Sequence, residues 1–299
     1  MTLPDPAVAP SAASRLTLAR SFLFVPANRP ERYFKALASG AGAVIIDLED
    51  AIAPDDKPTA RALLEAGFAN LPMSDRSRVL VRINASGTAW HNTDLALANM
   101  LAHLGLAGVV LPKAESPDQL ANLAASVGLA CALLPMIESA AGLEAVNQIA
   151  RSPQVARLLF GNLDFQADLG MTCGPDEVEL QPVRMALVMA SRRAGLAAPV
   201  DGVTAAIGDL GQVQKDAERS RRSGFGARLC IHPAQVAVVN AALAPTAAEL
   251  DWAQRVIQAS AESQSGVFTL DGRMVDAPVL LLARRMLGLP VWHDMRVNQ

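Results

Sequence analysis

The chain has 299 residues, a formal net charge of −3, 51% hydrophobic and 18% charged residues, so it has material for one large core and no basic excess. That balance argues against a nucleic-acid partner, whose phosphates demand a cationic surface. Three scattered cysteines, Cys131, Cys173 and Cys230, show no disulfide framework and no zinc spacing, and the first and last lie in apolar runs that suit reduced, buried thiols.

Residues 1–20, "MTLPDPAVAPSAASRLTLAR", are rich in Pro, Ala and Ser and lack the apolar stretch of a signal peptide, so they are expected to form a frayed, flexible N-terminal arm. No later stretch offers 18 uninterrupted apolar residues; no membrane association is expected, and a cytoplasmic location is. Short apolar runs then follow in order at 21–26, 43–50, 78–84, 108–115, 133–139, 157–164, 200–205 and 228–233. Continuous β-branched runs such as "AVIIDLED" suit strands covered on both faces, as in parallel sheets. Between them lie helical segments, among them "RPERYFKALAS", "KPTARALLEAGFA", "NTDLALANMLAHL", "SPDQLANLAAS" and "QPVRMALVMASRRAG". Several open on Pro, Ser or Asn, which suit a helix's first turn or cap. Eight such units over residues 21–244 match an α/β fold, the (β/α)8 TIM barrel. A doubly wound open sheet is the competitor, but it usually has fewer strands, and "GAGAV" precedes a strand where a dinucleotide fingerprint would open a helix.

Beyond the barrel, residues 245–299 read as an amphipathic helix, a hairpin whose "LDGRM" holds an Asp-Gly turn, and a further helix. This segment is expected to be a C-terminal helical lid or arm; a helix that only packs is the alternative.

A barrel gathers its strand ends on one face, where catalytic groups collect. The ends here supply Asp47, Glu49 and Asp50, then Arg82 and Asn84, Lys113 and Glu115, Glu138, Asp164, and finally His232. Half-buried carboxylates in such number require a compensating cation. Oxygen ligands without a Cys or His cluster favour a hard ion, Mg²⁺ before Mn²⁺. Glu138 and Asp164 are the best direct ligands, each following an apolar run, although each also suits a helix cap or turn. The 47–50 acids read equally as solvated loop residues, and His232 as structural. Lys113 could form a Schiff base, but the acid cluster favours metal-assisted chemistry. Nucleophile-elbow, HExxH and Walker motifs are absent.

The segments "RSFLFVPANRPERYFKALASGAGAVIIDLEDAIAPDDKPTAR", "VRIN", "VVLPKAES", "LLPMIESAAGL", "FGNLDF", "CIHPAQV" and "LDGRMVDAP" together resemble the citrate lyase β-subunit-like group of the HpcH/HpaI aldolase superfamily, including malyl-CoA and citramalyl-CoA lyases. The likeness spans Arg20 to about Leu287. It implies a Mg²⁺-dependent carbon–carbon lyase acting on a citramalyl- or malyl-CoA type thioester, with a citrate lyase β subunit acting on an acyl-carrier-protein thioester, a thioesterase on the same scaffold, or a noncatalytic thioester-binding subunit as alternatives. It further implies Glu138 and Asp164 as metal ligands, with Asp47, Glu49 and Asp50 orienting metal-bound water. Arg82 would bind the thioester oxygen, Arg29 and Lys35 the coenzyme A phosphates, and Asp276 would be a lid aspartate reaching a neighbouring subunit of a homo-oligomer, a homotrimer by analogy. Where relatives often carry a small residue and an acid, this chain has Asn162 and Leu163, a departure expected to alter either the metal's surroundings or the substrate preference.

Overall fold

Eight parallel strands close on themselves: β1 (Ser21–Pro26), β2 (Ala43–Asp47), β3 (Val79–Arg82), β4 (Gly108–Leu111), β5 (Ala132–Ile137), β6 (Leu159–Phe160), β7 (Val200–Asp201) and β8 (Ala227–Cys230). Each pairs with the next, and β8 pairs with β1, giving the TIM barrel expected from the βα rhythm. The computed structural model describes residues 12–263 and 266–289, so residues 1–11 of the expected arm lie outside the described residues.

The period of two along each strand divides the apolar residues between two cores. Phe22, Ile45, Leu80, Val110, Leu134, Leu159, Val200 and Leu229 fill the barrel interior. Their neighbours Leu23, Val44, Ile46, Val81, Val109 and Leu133 pack outward against the helices. Burial on both faces explains why the strands read as unbroken apolar runs. Gly108 belongs to the tight interior, where an added Cβ would meet the Ala132 carbonyl oxygen at 2.5 Å. The strands stop sooner than the apolar runs suggested. Leu48, Glu49 and Asp50 follow β2 as a bend and turn, and Lys113, at φ +46°, turns the chain out after β4. The acids thus stand on loops at the barrel rim.

The helices are placed by local chemistry. Ala60, Leu64 and Phe68 line one face of the helix Lys57–Ala69 at a spacing of four and bury it. Ser116 and Gln119 form a capping box before the helix Pro117–Val127, and Ser139 caps the helix Ala140–Ile149.

One expectation needs correction: the second half of the 1–20 arm is ordered. Residues 12–18 form a helix whose Leu16 is fully buried among the barrel-interior side chains. The buried Arg157 guanidinium donates to the carbonyls of Leu16 (3.0 Å), Ala19 (2.7 Å) and Ala198 (2.8 Å) and lies 5.5 Å from the Phe22 ring centroid. No carboxylate pairs with it among the described residues, and burial pulls its pKa down to about 9. Arg157 therefore ties the arm to the barrel through carbonyls satisfied at a helix end.

The chain divides between Leu243 and Ala244. The second unit contains the helix Ala247–Glu262, opened by a Thr246–Glu249 capping box, the antiparallel pair β9 (Phe268–Leu270) and β10 (Arg273–Val275), and the helix Ala277–Met286. Asp271 and Gly272 both adopt positive φ, +51° and +73°, the geometry of a tight two-residue hairpin turn. Ala253, Val256, Val275 and Ala283 form this unit's own small core. Among the described residues, no helix is long and apolar enough to cross a membrane.

Outside the barrel wall, Asp201 accepts hydrogen bonds from Ser220 Oγ (2.6 Å), the Gly202 amide (2.8 Å), Arg184 Nε (3.1 Å) and Arg228 Nη1 (3.3 Å). Burial works to raise its pKa, yet the two guanidinium groups and the hydrogen bonds outweigh it and hold the carboxyl below its ordinary range.

Two stability outcomes follow. Arg157→Leu leaves two buried carbonyls, of Leu16 and Ala19, unpaired and takes the donor from that of Ala198; it should lower the unfolding free energy by about 2–3 kcal/mol, read from urea denaturation, and a loss below about 1 kcal/mol would refute its anchoring role. Because the folded-state pKa of Asp201 is depressed, its contribution is complete above the unfolded value of about 3.9 and declines as pH falls through the folded value. Urea curves of wild type and Asp201→Asn should therefore differ most at neutral pH and converge below about pH 4; a gap independent of pH would contradict this.

Candidate active site

Asp47 ends β2 directly opposite Arg82, the last residue of β3. The register turns the pair into a two-pronged ion pair: Arg82 Nε donates to Asp47 Oδ1 and Nη2 to Oδ2, both at 2.7 Å. The same carboxylate accepts the amides of Glu49 (2.9 Å) and Ala51 (3.1 Å), which shapes the loop after the strand. Arg82 Nη1 then reaches Glu49 Oε2 at 2.9 Å and Asp50 Oδ2 at 3.4 Å, while its guanidinium lies 4.8 Å from the Phe24 ring centroid. Burial opposes its charge, but Asp47, Glu49 and Asp50 prevail and raise its pKa further.

Beneath this loop, Lys57 Nζ donates to the carbonyls of Leu48 and Glu49, each at 2.9 Å, and to Asn84 Oδ1 at 2.7 Å. Asn84 is held in turn by Asp94, whose other oxygen pairs with Arg61 at 2.9 Å. Sequence reading missed Lys57 and Asp94. A signal was present in "KPTAR", since a cation at the first residue of a helix opposes the helix dipole and needs another reason to be there.

Across the mouth, Glu138 follows β5 and is 2% exposed. Its Oε1 accepts the Lys113 amide at 2.8 Å, whereas Oε2 is buried without a hydrogen-bond partner. Gly161 lies against that orphaned oxygen, and a Cβ there would collide with it. Asp164, in the first turn of the helix Asn162–Leu169, is half-exposed, and its one ion-pair contact among the described residues is Lys113 Nζ at 3.9 Å. The Lys113 ammonium also contacts Glu49 at 3.2 Å and Glu138 at 3.9 Å.

The electrostatics follow from burial. Desolvation, reinforced by Glu49 and Asp164, pushes Glu138 up to about 8; desolvation and the nearby Asp50 and Asp47 push Glu49 up to about 7 despite Arg82 and Lys113. Burial opposes the Lys113 charge, yet its three acidic neighbours raise its pKa, so it stays protonated and is unsuited to Schiff-base chemistry. A site whose carboxylates are this hard to ionise lacks positive charge. Among the described residues no three His, Cys, Asp or Glu side chains form a metal cage, so a cation here would take few protein ligands and fill its coordination from water or substrate. The orphaned Glu138 oxygen, with Asp164 beyond it, fits such an ion.

A cavity of ≈ 390 Å³ opens here, and apolar side chains, Phe24, Pro26, Met136, Val203, Leu229 and Ile231, share its lining with the charged ones. The expected residues Asp47, Asp50, Arg82, Glu138 and Asp164 all line it, and Glu49 contacts Arg82 and Lys113 beside it. Arg29 and Lys35 stand apart on the exposed segment after β1. Arg29 pairs with Glu31 at 2.6 Å, and Lys35 has no ion-pair partner among the described residues. Asp276 belongs to the second unit, where its Oδ1 accepts the Val279 amide at 3.3 Å and caps the helix Ala277–Met286. Glu115 accepts from Ser139 Oγ at 2.6 Å, and His232 receives the Ala234 amide at 3.2 Å; both serve helix starts.

A family model described as HpcH/HpaI aldolase/citrate lyase matches residues 20–233. A citrate lyase subunit beta-like protein of Mycobacterium tuberculosis is 38% identical over 271 residues, 89% of this chain and 93% of that protein. A (3S)-malyl-CoA thioesterase of Cereibacter sphaeroides is 33% identical over 272 residues, 90% and 93% of the two chains. The crystal structure of CitE from Mycobacterium tuberculosis in complex with magnesium, acetoacetate and coenzyme A superposes with a TM-score of 0.78 at 36% identity, covering 91% of this chain and 98% of that one. With the closed barrel and acid-rich mouth, these matches establish that the chain belongs to the HpcH/HpaI aldolase/citrate lyase family.

Proposed function

We propose that this protein is a Mg²⁺-dependent carbon–carbon lyase that cleaves a β-hydroxyacyl thioester of the citramalyl-CoA or malyl-CoA type into a 2-oxo acid and an acyl-CoA. The observation that carries this reading is the buried, unpartnered Glu138 Oε2 of a residue that lines a cavity with both acidic and apolar side chains. Glu138 and Asp164 would hold the ion. Bound there, Mg²⁺ supplies Lewis-acid charge that orients the hydroxyl and carboxylate of the hydroxy-acid portion and makes the hydroxyl more acidic.

The chain's own groups divide the remaining work. Arg82 is fixed by two hydrogen bonds to Asp47 and presents fixed positive charge where the thioester oxygen gains negative charge on cleavage. Because the strand register sets that geometry before substrate arrives, little reorganisation accompanies the reaction. Glu49 and Asp50, held by Arg82, would orient water around the ion. Lys113 tempers the repulsion among Glu49, Glu138 and Asp164. The apolar side chains of the lining would cover the acyl substituent and exclude water from the enolate. Asp276, contributed by a partner copy in a homo-oligomer, is the proposed base for the hydroxyl proton. Arg29 and Lys35, both exposed and cationic, would meet the coenzyme A phosphates.

Hydrolysis of the thioester is the second reading, favoured by the 33% identity to a (3S)-malyl-CoA thioesterase. Incubation with Mg²⁺ and citramalyl-CoA or malyl-CoA, followed by mass spectrometry, separates the two. A 2-oxo acid paired with acyl-CoA is the expected outcome; hydroxy acid with free coenzyme A would replace lyase by thioesterase. Glu138→Ala should lower Mg²⁺-dependent turnover by more than about 10²-fold with the fold intact, on the scale of losing one preorganised charge, and unchanged turnover would remove Glu138 from the site. Arg29→Ala should weaken coenzyme A binding several-fold by calorimetry, with the difference shrinking at high salt; equal affinity at low salt would reject the phosphate role.

A further inference from the structure

Asp164 has almost nothing of its own to hold it. Among the described residues its carboxylate makes one ion contact, with Lys113 at 3.9 Å, and the helix that carries it follows an N-cap, Gly161, that has no side chain to cap with. The preceding strand, β6, has two residues and shares only the Leu159–Val200 pair with β7. The first turn of that helix therefore needs another tether.

Asn162 supplies one. It is 1% exposed and stands two residues before Asp164. Its Oδ1 accepts the Val203 amide at 2.9 Å, and its Nδ2 donates to the Val203 carbonyl at 3.2 Å and to Glu177 Oε1 at 3.1 Å. The amide side chain thus continues, beyond β6 and β7, the pairing that their backbones have ceased to make. The two Val203 bonds also fix which end of the amide faces Glu177. Glu177, in the left-handed region at φ +48°, is held through its other oxygen by Arg184 and by Arg219 at 2.7 Å. Gly202 leaves the necessary room, since a Cβ there would overlap the Asn162 amide.

We propose that Asn162, clamped between Val203 and Glu177, is a positioning residue that sets where the Asp164 carboxylate stands and thereby tunes the affinity of the site for its divalent cation. The inference rests on the reading of Asp164 as a metal ligand. It makes no claim that Asn162 touches metal or substrate. Asn162→Asp is nearly isosteric but removes the donor to Glu177 and to the Val203 carbonyl and sets two carboxylates against each other. By charge alone that substitution would tighten cation binding, so a weakened affinity reports lost geometry. Glu177→Gln leaves one acceptor oxygen, which Arg184 and Arg219 claim, and so turns an amide donor towards Asn162. Combining the two restores one donor and one acceptor across the gap.

The experiment is Mn²⁺ binding to the full chain, followed by the electron paramagnetic resonance of the free ion, with circular dichroism and urea unfolding as folding controls. Asn162→Asp and Gly202→Ala should each weaken Mn²⁺ binding about 10–100-fold, the range seen when a group supporting a metal ligand is lost, and Asn162→Asp combined with Glu177→Gln should recover much of that loss. A role in stability alone would shift the urea midpoint without moving the affinity of the folded protein. Should Asn162→Asp not fold, Gly202→Ala and Glu177→Gln decide the matter. Unaltered Mn²⁺ affinity in the folded variants, with binding abolished in Asp164→Ala, would overturn the positioning role and leave the metal reading intact. Absence of Mn²⁺ binding by the unsubstituted protein would overturn both.

Discussion

The bidentate pair between Asp47 and Arg82 is the contact on which the barrel mouth depends. Two neighbouring parallel strands end on opposite charges in direct register, so the backbone ladder places the pair and the pair needs no long side-chain search. With that carboxylate engaged twice more by the amides of Glu49 and Ala51, the loop after β2 has one shape, and Glu49 and Asp50 are delivered to the remaining face of the guanidinium. Removing either partner would leave the other charge buried and the loop without its organiser.

Charge explains what this arrangement is for. Asp47, Glu49, Asp50, Glu138 and Asp164 crowd a mouth that contains Arg82 and Lys113 as the cations in contact with them. Arg82 is committed to three acids, and Lys113 is divided among three at distances of 3.2–3.9 Å. Burial first, and the neighbouring acids after it, raise the pKa values of Glu49 and Glu138. Lys57, hidden beneath the loop, bonds carbonyls and Asn84 and acts on Asp47, Asp94, Glu49 and Asp50 through space, without an ion pair to any of them among the described residues. A divalent cation is the economical completion, and the apolar side chains in the cavity lining lower the local dielectric around it.

Two kinds of rigidity serve the site. On the β2 and β3 side the strands are five and four residues long, and the ladder itself carries the functional groups. On the β6 and β7 side each strand has two residues, and side chains take over: Asn162 bridges to Val203, and Glu177 links that bridge to Arg184, Arg219 and, through Arg184, to Asp201. The helix and hairpin of the second unit form by local signals of their own, an Asp-Gly turn and two side-chain caps.

The sequence by itself determined the barrel, because two-sided burial writes each strand as an unbroken apolar run and the intervening helices carry their caps and four-residue spacings locally. It also determined which acids stand at the rim, since each follows directly on such a run: Asp47, Glu49, Asp50, Glu138 and Asp164 were legible for that reason. What only the tertiary structure decided are the pairings between distant segments. Arg157 with the carbonyls of Leu16 and Ala19, Lys57 with the loop after β2, and Asn162 with Val203 and Glu177 join residues brought together by closure of the barrel. The ordered helix at residues 12–18, read from its composition as a frayed arm, belongs to the same class. Composition and periodicity report what a residue does to its own segment; a buried polar side chain takes its partner from whichever segment folding brings within about 3 Å, and that proximity is not written in its neighbours along the chain.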